Sequence, residues 1–468
     1  MTDQSYIQDA ERRARQYLET VRQRRVYPDD DALAALSRFD EALPDVGRDG
    51  AETVALLDEA GSPATVASNG PNYYGFVIGG TLPEVLAVER LTSAWDQCAS
   101  SFTNSPVAHK LEKVAARWLL DVLELPTESA VTFGTTATSC GIACISAARR
   151  TILARQGWDF DDKGLAGAPP VRVVVSDTIH VTLLKILRVL GFGLDTIVKA
   201  PVDQFGRVDP DRLPSLDDRT ILCLQAGEVN TGEFDPFERI IPQAKAAGAW
   251  VHVDGAFGLW ARTSGELRHL VDGIEQADSW TVDGHKWLNT PYDGAMGICR
   301  DAEALGTAMN SAAAYSIASA DSQMNLGVEF SRRARGIAIW AALRSLGRDG
   351  LEEMFERHCR QARTIAKALT EAGVTVLNRV VLNQVVFRLD TDDATWELPE
   401  HAAATGGIWF GPTAWQGRPA CRISVANWQS NDETTQAAVA VLTEAIASLR
   451  SGSASGNLTS AEAKVASE

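Results

Sequence analysis

The stretch SWTVDGHKWLNTPYDG, residues 279–294, decides how the rest of the chain is read. Its Trp-Thr-Val core suits a buried strand ending at Asp283, and the Asp-Gly step then turns the chain to present His285 and Lys286. A His-Lys pair by itself is most often solvated surface charge. A lysine at a strand end, beside an imidazole and followed by Trp287, is instead placed to lose its proton through desolvation and act as an amine nucleophile.

Upstream, VHVDGAFG at residues 251–258 puts Asp254 at the end of another apolar strand, where an unpaired carboxylate is costly. The ring nitrogen of pyridoxal 5′-phosphate (PLP) is a cation that meets this need, and a buried Asp holding it protonated is the usual partner of a Schiff-base lysine. The plainer alternative is a strand cap in which Asp254 binds backbone amides. Ala256 would lie against the ring, where only a small side chain fits. His180 closes VVVSDTIH just past a further strand, where an imidazole can stack on the pyridine face and hold a substrate carboxylate, or be an ordinary core histidine. VTFGTTATSCGIACISAARR, residues 131–150, reads as a strand, a hydroxyl-rich turn and a helix. Free N–H groups at a helix start make an anion site, so Thr136, Ala137 and Thr138 are candidate phosphate holders; the same run also fits a simple capped helix.

The apolar runs VRVVVSD (171–177), TILCLQAGE (220–228), WVHVDG (250–255) and SWTVDG (279–284) alternate with helical patterns. Continuous apolar strands separated by helices predict an α/β fold with a mainly parallel sheet covered on both faces, and ligands in such sheets sit at the carboxyl ends of the strands. His180, Asp254 and Lys286 all fall at such ends. Before this region, residues 1–65 read as a polar helical arm, with helices over Ser5 to Arg25 and Ala32 to Ala42, that would pack on a partner subunit. Residues 66–340 form the expected large domain. A long helical stretch from Arg332 to Glu371 leads into VTVLN, QVVFRLD and CRISVAN, the strands of a smaller α+β domain over 341–450, and the low-complexity tail 451–468 is expected to be disordered.

Composition narrows the function classes. With 468 residues, 45% apolar and 22% charged, the chain can bury a sizeable core. A formal net charge of −17 argues against nucleic-acid binding, which rests on Lys and Arg displacing counterions. No stretch reaches the roughly 18 apolar residues that span a bilayer, and the N-terminus does not read as a signal peptide, so a cytoplasmic protein without a membrane partner is expected. Seven scattered cysteines lack paired CxxC spacing and read as reduced core thiols, and no metal site is expected.

The order of small-residue turn, His180, HVDGAFG and DGHKW resembles the group II PLP-dependent amino-acid decarboxylases, which include the aromatic amino-acid, histidine and glutamate enzymes. The resemblance runs from about Pro71 in PNYYGFVIGG to about Trp428 in CRISVANW. It implies PLP fold type I, with a mainly parallel seven-stranded sheet and a homodimer sharing its active sites. By position Lys286 is similar to the Schiff-base lysine, Asp254 to the pyridinium partner and His180 to the ring-stacking histidine. His285 and Thr136 to Thr138 resemble the phosphate holders, and Asp283 stands where the family has a polar residue near the phosphate. Tyr315, 29 residues beyond Lys286, resembles the loop tyrosine that protonates the product carbanion, and Arg332 or Arg333 matches a family arginine near the site. Two runs depart from the pattern. TATSCG replaces a Gly-Gly-Thr-Glu-like turn, and GEVN leaves Asn230 where a hydroxyl often meets the cofactor.

The resemblance implies decarboxylation of an L-amino acid to amine and CO₂, with Lys286, His180 and Tyr315 as catalytic residues. Transamination, aldol cleavage and decarboxylation-dependent oxidative deamination are the rival PLP reactions on this fold. A catalytically dead binding protein is the rival from another class. Tyr73, Tyr74 and Phe76, with Ser100, Phe102 and Arg332, are the candidate substrate contacts, and the amino acid itself stays open.

Overall fold

The computed structural model describes residues 5–310 and 322–452. Two compact units form from them, one of residues 79–310, 322–360 and 378–384, the other of residues 5–78, 361–377 and 385–452.

The larger unit is built on seven strands: β1 (Ala130–Gly134), β2 (Arg172–Ser176), β3 (Val198–Ala200), β4 (Thr220–Gln225), β5 (Trp250–Asp254), β6 (Ser279–Asp283) and β7 (Ala295–Cys299). Their order is β1-β7-β6-β5-β4-β2-β3. From β6 through β3 every neighbour is parallel, and β7 runs against both β6 and β1. This is the mainly parallel seven-stranded sheet expected of fold type I. All six residues of β4 and all five of β6 are buried, the mark of strands covered on both faces.

The helix Ala137–Arg155 packs on the sheet through Ala143, Ile145, Ala147, Ile152 and Leu153, all fully or nearly fully buried. The helical run Arg335–Glu371 is broken at Gly347, whose φ of 62° suits a residue without a side chain.

The strand expectations hold for β2, β4, β5 and β6 within a residue or three of their predicted ends. β3 and β7 went unseen in the sequence, because VKA is three residues long and AMGIC carries a glycine among small side chains.

The smaller unit carries a four-stranded sheet, β10-β11-β9-β8, from β8 (Thr375–Val376), β9 (Gln384–Arg388), β10 (Gly411–Trp415) and β11 (Arg418–Ser424). Its helix Asp432–Gly452 runs into the start of the tail expected to be disordered; residues from 453 on lie outside the described ones. The N-terminal helix Ser5–Thr20 buries none of its residues, and the second arm helix is shorter than expected, Asp30–Ala35 followed by a 3-10 turn over Leu36–Phe39.

Candidate active site

The carboxyl ends of β4, β5 and β6 are laced together beyond the last regular pairs. Gln225 and Asp254 are register partners, as are Asp254 and Thr281. The Ala226 N–H donates to the Asp254 carbonyl (2.8 Å), the Gly255 N–H to that of Thr281 (3.0 Å) and the Asp283 N–H to that of Ala256 (2.9 Å). Asp254, Thr281 and Asp283 therefore share one sheet face at adjacent strand ends.

Asp283, 4% exposed, is the best-partnered acid there. Its Oδ1 accepts the Ala137 N–H at 2.8 Å, capping the helix that follows β1, and its Oδ2 lies 3.3 Å from Lys286 Nζ. His285 Nε2 stands 3.7 Å from Oδ1, and the imidazole stacks on Tyr292 with centroids 4.4 Å apart. Burial pushes the His285 pKa down, against the pull of Asp283, and pushes the Tyr292 hydroxyl up to about 12. The Lys286 amine also lies 5.7 Å from the centre of the Phe257 ring.

The turn holding Lys286 is clamped. Trp287 is buried, stacks on Phe355 at 4.1 Å and donates its indole N–H to His358 Nδ1 at 2.9 Å. Gly79 lies against the backbone of the turn: a Cβ there would come within 2.1 Å of the Lys286 carbonyl oxygen, so only glycine fits. Asn289, fully buried at φ 55°, donates to the Trp287 carbonyl and accepts the Leu82 N–H.

Asp254 differs. It is half-buried, its Oδ1 takes the Ala256 N–H at 3.1 Å, and among the described residues no cation pairs with it. The strand cap is thus real, yet it accounts for one oxygen. His252 lies two residues back on the same face, fully buried, its Nδ1 2.9 Å from Ser279 Oγ, and burial takes its pKa down to about 4.

At the start of the helix after β1, Thr136 and Ser139 form a reciprocal capping box: Thr136 Oγ1 accepts the Ser139 N–H at 3.2 Å and Ser139 Oγ accepts the Thr136 N–H at 3.1 Å. Ala137 gives its N–H to Asp283, so of the three expected phosphate holders Thr138 keeps its first-turn N–H and hydroxyl available to an anion. The donor set fits a cofactor with a cationic ring nitrogen and an anionic tail, since an acid without a cation and a helix start with a usable donor lie on one linked set of strand ends.

His180 caps the helix Val181–Val189, with its Nδ1 2.7 Å from Thr182 Oγ1, and its own N–H goes to the Gln225 side chain at 3.1 Å. Asn230 turns to Glu228, whose Oε2 takes its N–H at 2.8 Å and that of Thr231 at 2.7 Å.

The substrate candidates differ in their surroundings. Arg332 is 8% exposed and makes a two-pronged ion pair with buried Glu112 (2.8 and 2.7 Å), so its guanidinium is already spent. Ser100 is fully buried, Phe102 is exposed and edge-on to His109, and Tyr74 belongs to the smaller unit, buried with a hydroxyl that finds no partner among the described residues. Tyr315 lies outside the described residues. Sequence reading missed Gln225, Tyr292, Phe257 and Gly79. Gln225 had a signal, a polar residue closing an otherwise apolar buried strand; the other three had none.

Among the described residues there is no helix long and apolar enough to cross a membrane, and no group of three metal-ligating side chains.

The model of the pyridoxal-dependent decarboxylase conserved domain matches residues 62–390. Tryptophan decarboxylase 1 of Oryza sativa subsp. japonica is 28% identical over 405 residues, 76% of either chain. Phenylacetaldehyde synthase of Arabidopsis thaliana is 23% identical over 420 residues, covering 82% of this chain and 84% of that one. The crystal structure of Oryza sativa TDC with PLP and tryptamine superposes with a TM-score of 0.87 at 23% identity, over 96% of this chain and 99% of that one. The chain therefore belongs to the pyridoxal-dependent decarboxylase family, as a fold-type I enzyme whose cofactor is pyridoxal phosphate.

Proposed function

We propose that this enzyme decarboxylates an L-amino acid to the corresponding amine and CO₂, with the cofactor carried on Lys286. The observation behind this reading is the pairing of strand ends: β6 delivers an amine nucleophile, and β5 beside it delivers Asp254, which lacks a cation among the described residues. Bound there, the cofactor supplies an electron sink for bond cleavage at the substrate Cα.

The protein's own groups would divide the remaining work. Lys286 would hold the cofactor through its amine and leave that place to the substrate amine. Asp254 holds the ring nitrogen protonated, and Ala256 leaves room for the ring. His180 would stack on the cofactor and orient the substrate carboxylate. Thr138 and His285 would hold the phosphate, while Asp283 steadies the helix start and the lysine. Tyr315 delivers the proton to Cα. A homodimer in the cytoplasm, with active sites shared between subunits, completes the reading.

The relatives include both decarboxylases and phenylacetaldehyde synthases, so a second reading shares the first step. In it the amino acid, O₂ and water give aldehyde, CO₂, ammonia and H₂O₂. One experiment separates the two: the PLP-loaded protein is incubated in air with each of the twenty common L-amino acids, and CO₂, amine, aldehyde and H₂O₂ are measured. Amine and CO₂ in equal amounts support the proposal. Aldehyde with H₂O₂ transfers it to the second reading, and no CO₂ from any amino acid overturns both.

A further inference from the structure

We propose that Gln225 is a positioning residue for His180, its side-chain amide tying the turn that presents the imidazole to the end of β4. The proposal rests on the reading of His180 as the group that stacks on the cofactor and orients the substrate.

Stacking demands height. An imidazole that slides by an ångström loses both its contact with the ring and its aim at the substrate carboxylate, and such misplacement costs rate without removing any reacting group. His180 follows β2 by four residues, in a turn whose start is tied down by the Asp177 N–H on the Ala200 carbonyl (3.1 Å) and the Thr178 hydroxyl on the Gly206 carbonyl (2.9 Å). The Thr182 hydroxyl and N–H bind its Nδ1, which sets the ring's rotation. They belong to the same turn, however, and move with it.

Gln225 supplies an anchor from outside the turn that acts on His180 itself. It is 3% exposed and closes β4, a strand every other residue of which is Thr, Cys, Leu or Ile. Its Oε1 accepts the His180 N–H at 3.1 Å, and its Nε2 donates to the Thr178 carbonyl at 3.4 Å. Both ends of one amide thus grip one turn. The Gln225 backbone is held in its own right: its N–H donates to Asp235 Oδ2 at 2.7 Å, and buried Asp235 takes the Val208 N–H at 2.7 Å through Oδ1.

Gln225 is also the register partner of Asp254. The amide therefore refers the height of His180 to the strand end that carries the acid for the ring nitrogen, so the face contact and the edge contact to one ring are set from neighbouring positions of one sheet. Leucine at 225 would fill the space and make neither bond. Glutamate would make both, but only while protonated, with its carbonyl accepting from His180 and its O–H donating to Thr178. Buried, with Asp235 on its own backbone N–H and Asp254 as its register partner, such a carboxyl keeps its proton to a pH above the ordinary carboxylate range.

The test uses PLP-loaded wild type, Gln225→Leu, Gln225→Glu and His180→Ala. The visible circular dichroism of bound PLP is followed from pH 6 to 8.5, together with PLP content and turnover of the best amino acid from the screen. We expect Gln225→Leu to keep its PLP while its dichroic band moves toward that of His180→Ala and kcat falls about tenfold or more. Gln225→Glu should match the leucine variant at pH 8.5 and approach wild type at pH 6. That recovery is beyond a residue that merely fills space.

Wild-type dichroism and kcat in Gln225→Leu, beside a damaged His180→Ala, would overturn the anchor alone. So would a Gln225→Glu that is impaired equally at every pH. A His180→Ala that behaves as wild type would overturn the stacking role and the anchor with it.

Discussion

Two neighbouring strands of this enzyme end in the same three residues, Val253-Asp254-Gly255 on β5 and Val282-Asp283-Gly284 on β6, and the two acids meet opposite surroundings. Asp283 is buried, accepts a helix N–H, and has the Lys286 amine at 3.3 Å and the His285 ring at 3.7 Å. Asp254 is half-buried and receives one backbone N–H. The first acid is complete within the protein; the second keeps an oxygen for the cation that the proposed cofactor would bring. Local sequence thus sets where a carboxylate stands, and what the next turn and the nearest helix deliver decides whether it serves structure or chemistry.

The contrast breaks most visibly at Lys286. Lys286→Ala should abolish turnover and the visible absorbance of the lysine-bound cofactor, while PLP is still retained noncovalently through the helix start. Spectra and product assays on the purified variant check this, and substantial activity would contradict it.

Exchanging the two acids in turn gives the next largest effect. Asp254→Asn keeps the shape and removes the charge proposed to hold the ring nitrogen protonated, so kcat should fall about 10²-fold or more, the scale of losing one preorganised electrostatic group. Asp283→Asn keeps an oxygen for the Ala137 N–H and gives up only the charge-assisted part of its bonds, a difference of ~1 kcal/mol. Its kcat/KM and PLP affinity should stay within about tenfold of wild type. Equal losses in the two variants would erase the distinction drawn here.

The same two strand ends show what a sequence displays and what it hides. Apolar runs closing on Asp254, His180 and Lys286 were legible, because burial on both faces leaves polar residues only at the ends. The asymmetry between Asp254 and Asp283 was not, since it depends on Ala137, 146 residues away from Asp283, meeting the β6 end. Arg332 shows the same limit at longer range. It matched a family position, but its partner Glu112 lies 220 residues earlier, and no local pattern announces that pair. Gln225 was missed, since its bonds to the His180 N–H and the Thr178 carbonyl join residues 45 and 47 positions apart, and no local pattern announces them.

Acid stability gives the smallest effect and separates β5 from β6 once more. His252 lies below Asp254 on β5, and its register partner on β6 is Ser279. Burial holds the His252 pKa at about 4, against roughly 6.5 when unfolded. Between those values the unfolded chain binds more protons than the folded one, so this histidine's contribution falls as pH drops from about 6.5 toward 4, by ~3 kcal/mol at most. Buried Asp235, pushed up to about 7, acts in the opposite sense, its cost growing as pH rises from about 4 toward 7. The difference between His252→Gln and wild type isolates the histidine. Urea unfolding should show the variant gaining relative stability as the pH is lowered through that window, and parallel curves would contradict the assignment.

The most direct test of the central claim fixes the cofactor in place chemically. Reducing the PLP-loaded enzyme with borohydride, digesting it and locating the added pyridoxyl mass by mass spectrometry identifies the lysine that carries the cofactor. The account predicts the mass on the peptide containing Lys286, in near-stoichiometric yield and absent from Lys286→Ala. A pyridoxyl group on any other lysine, or none in protein that demonstrably holds PLP, would contradict it.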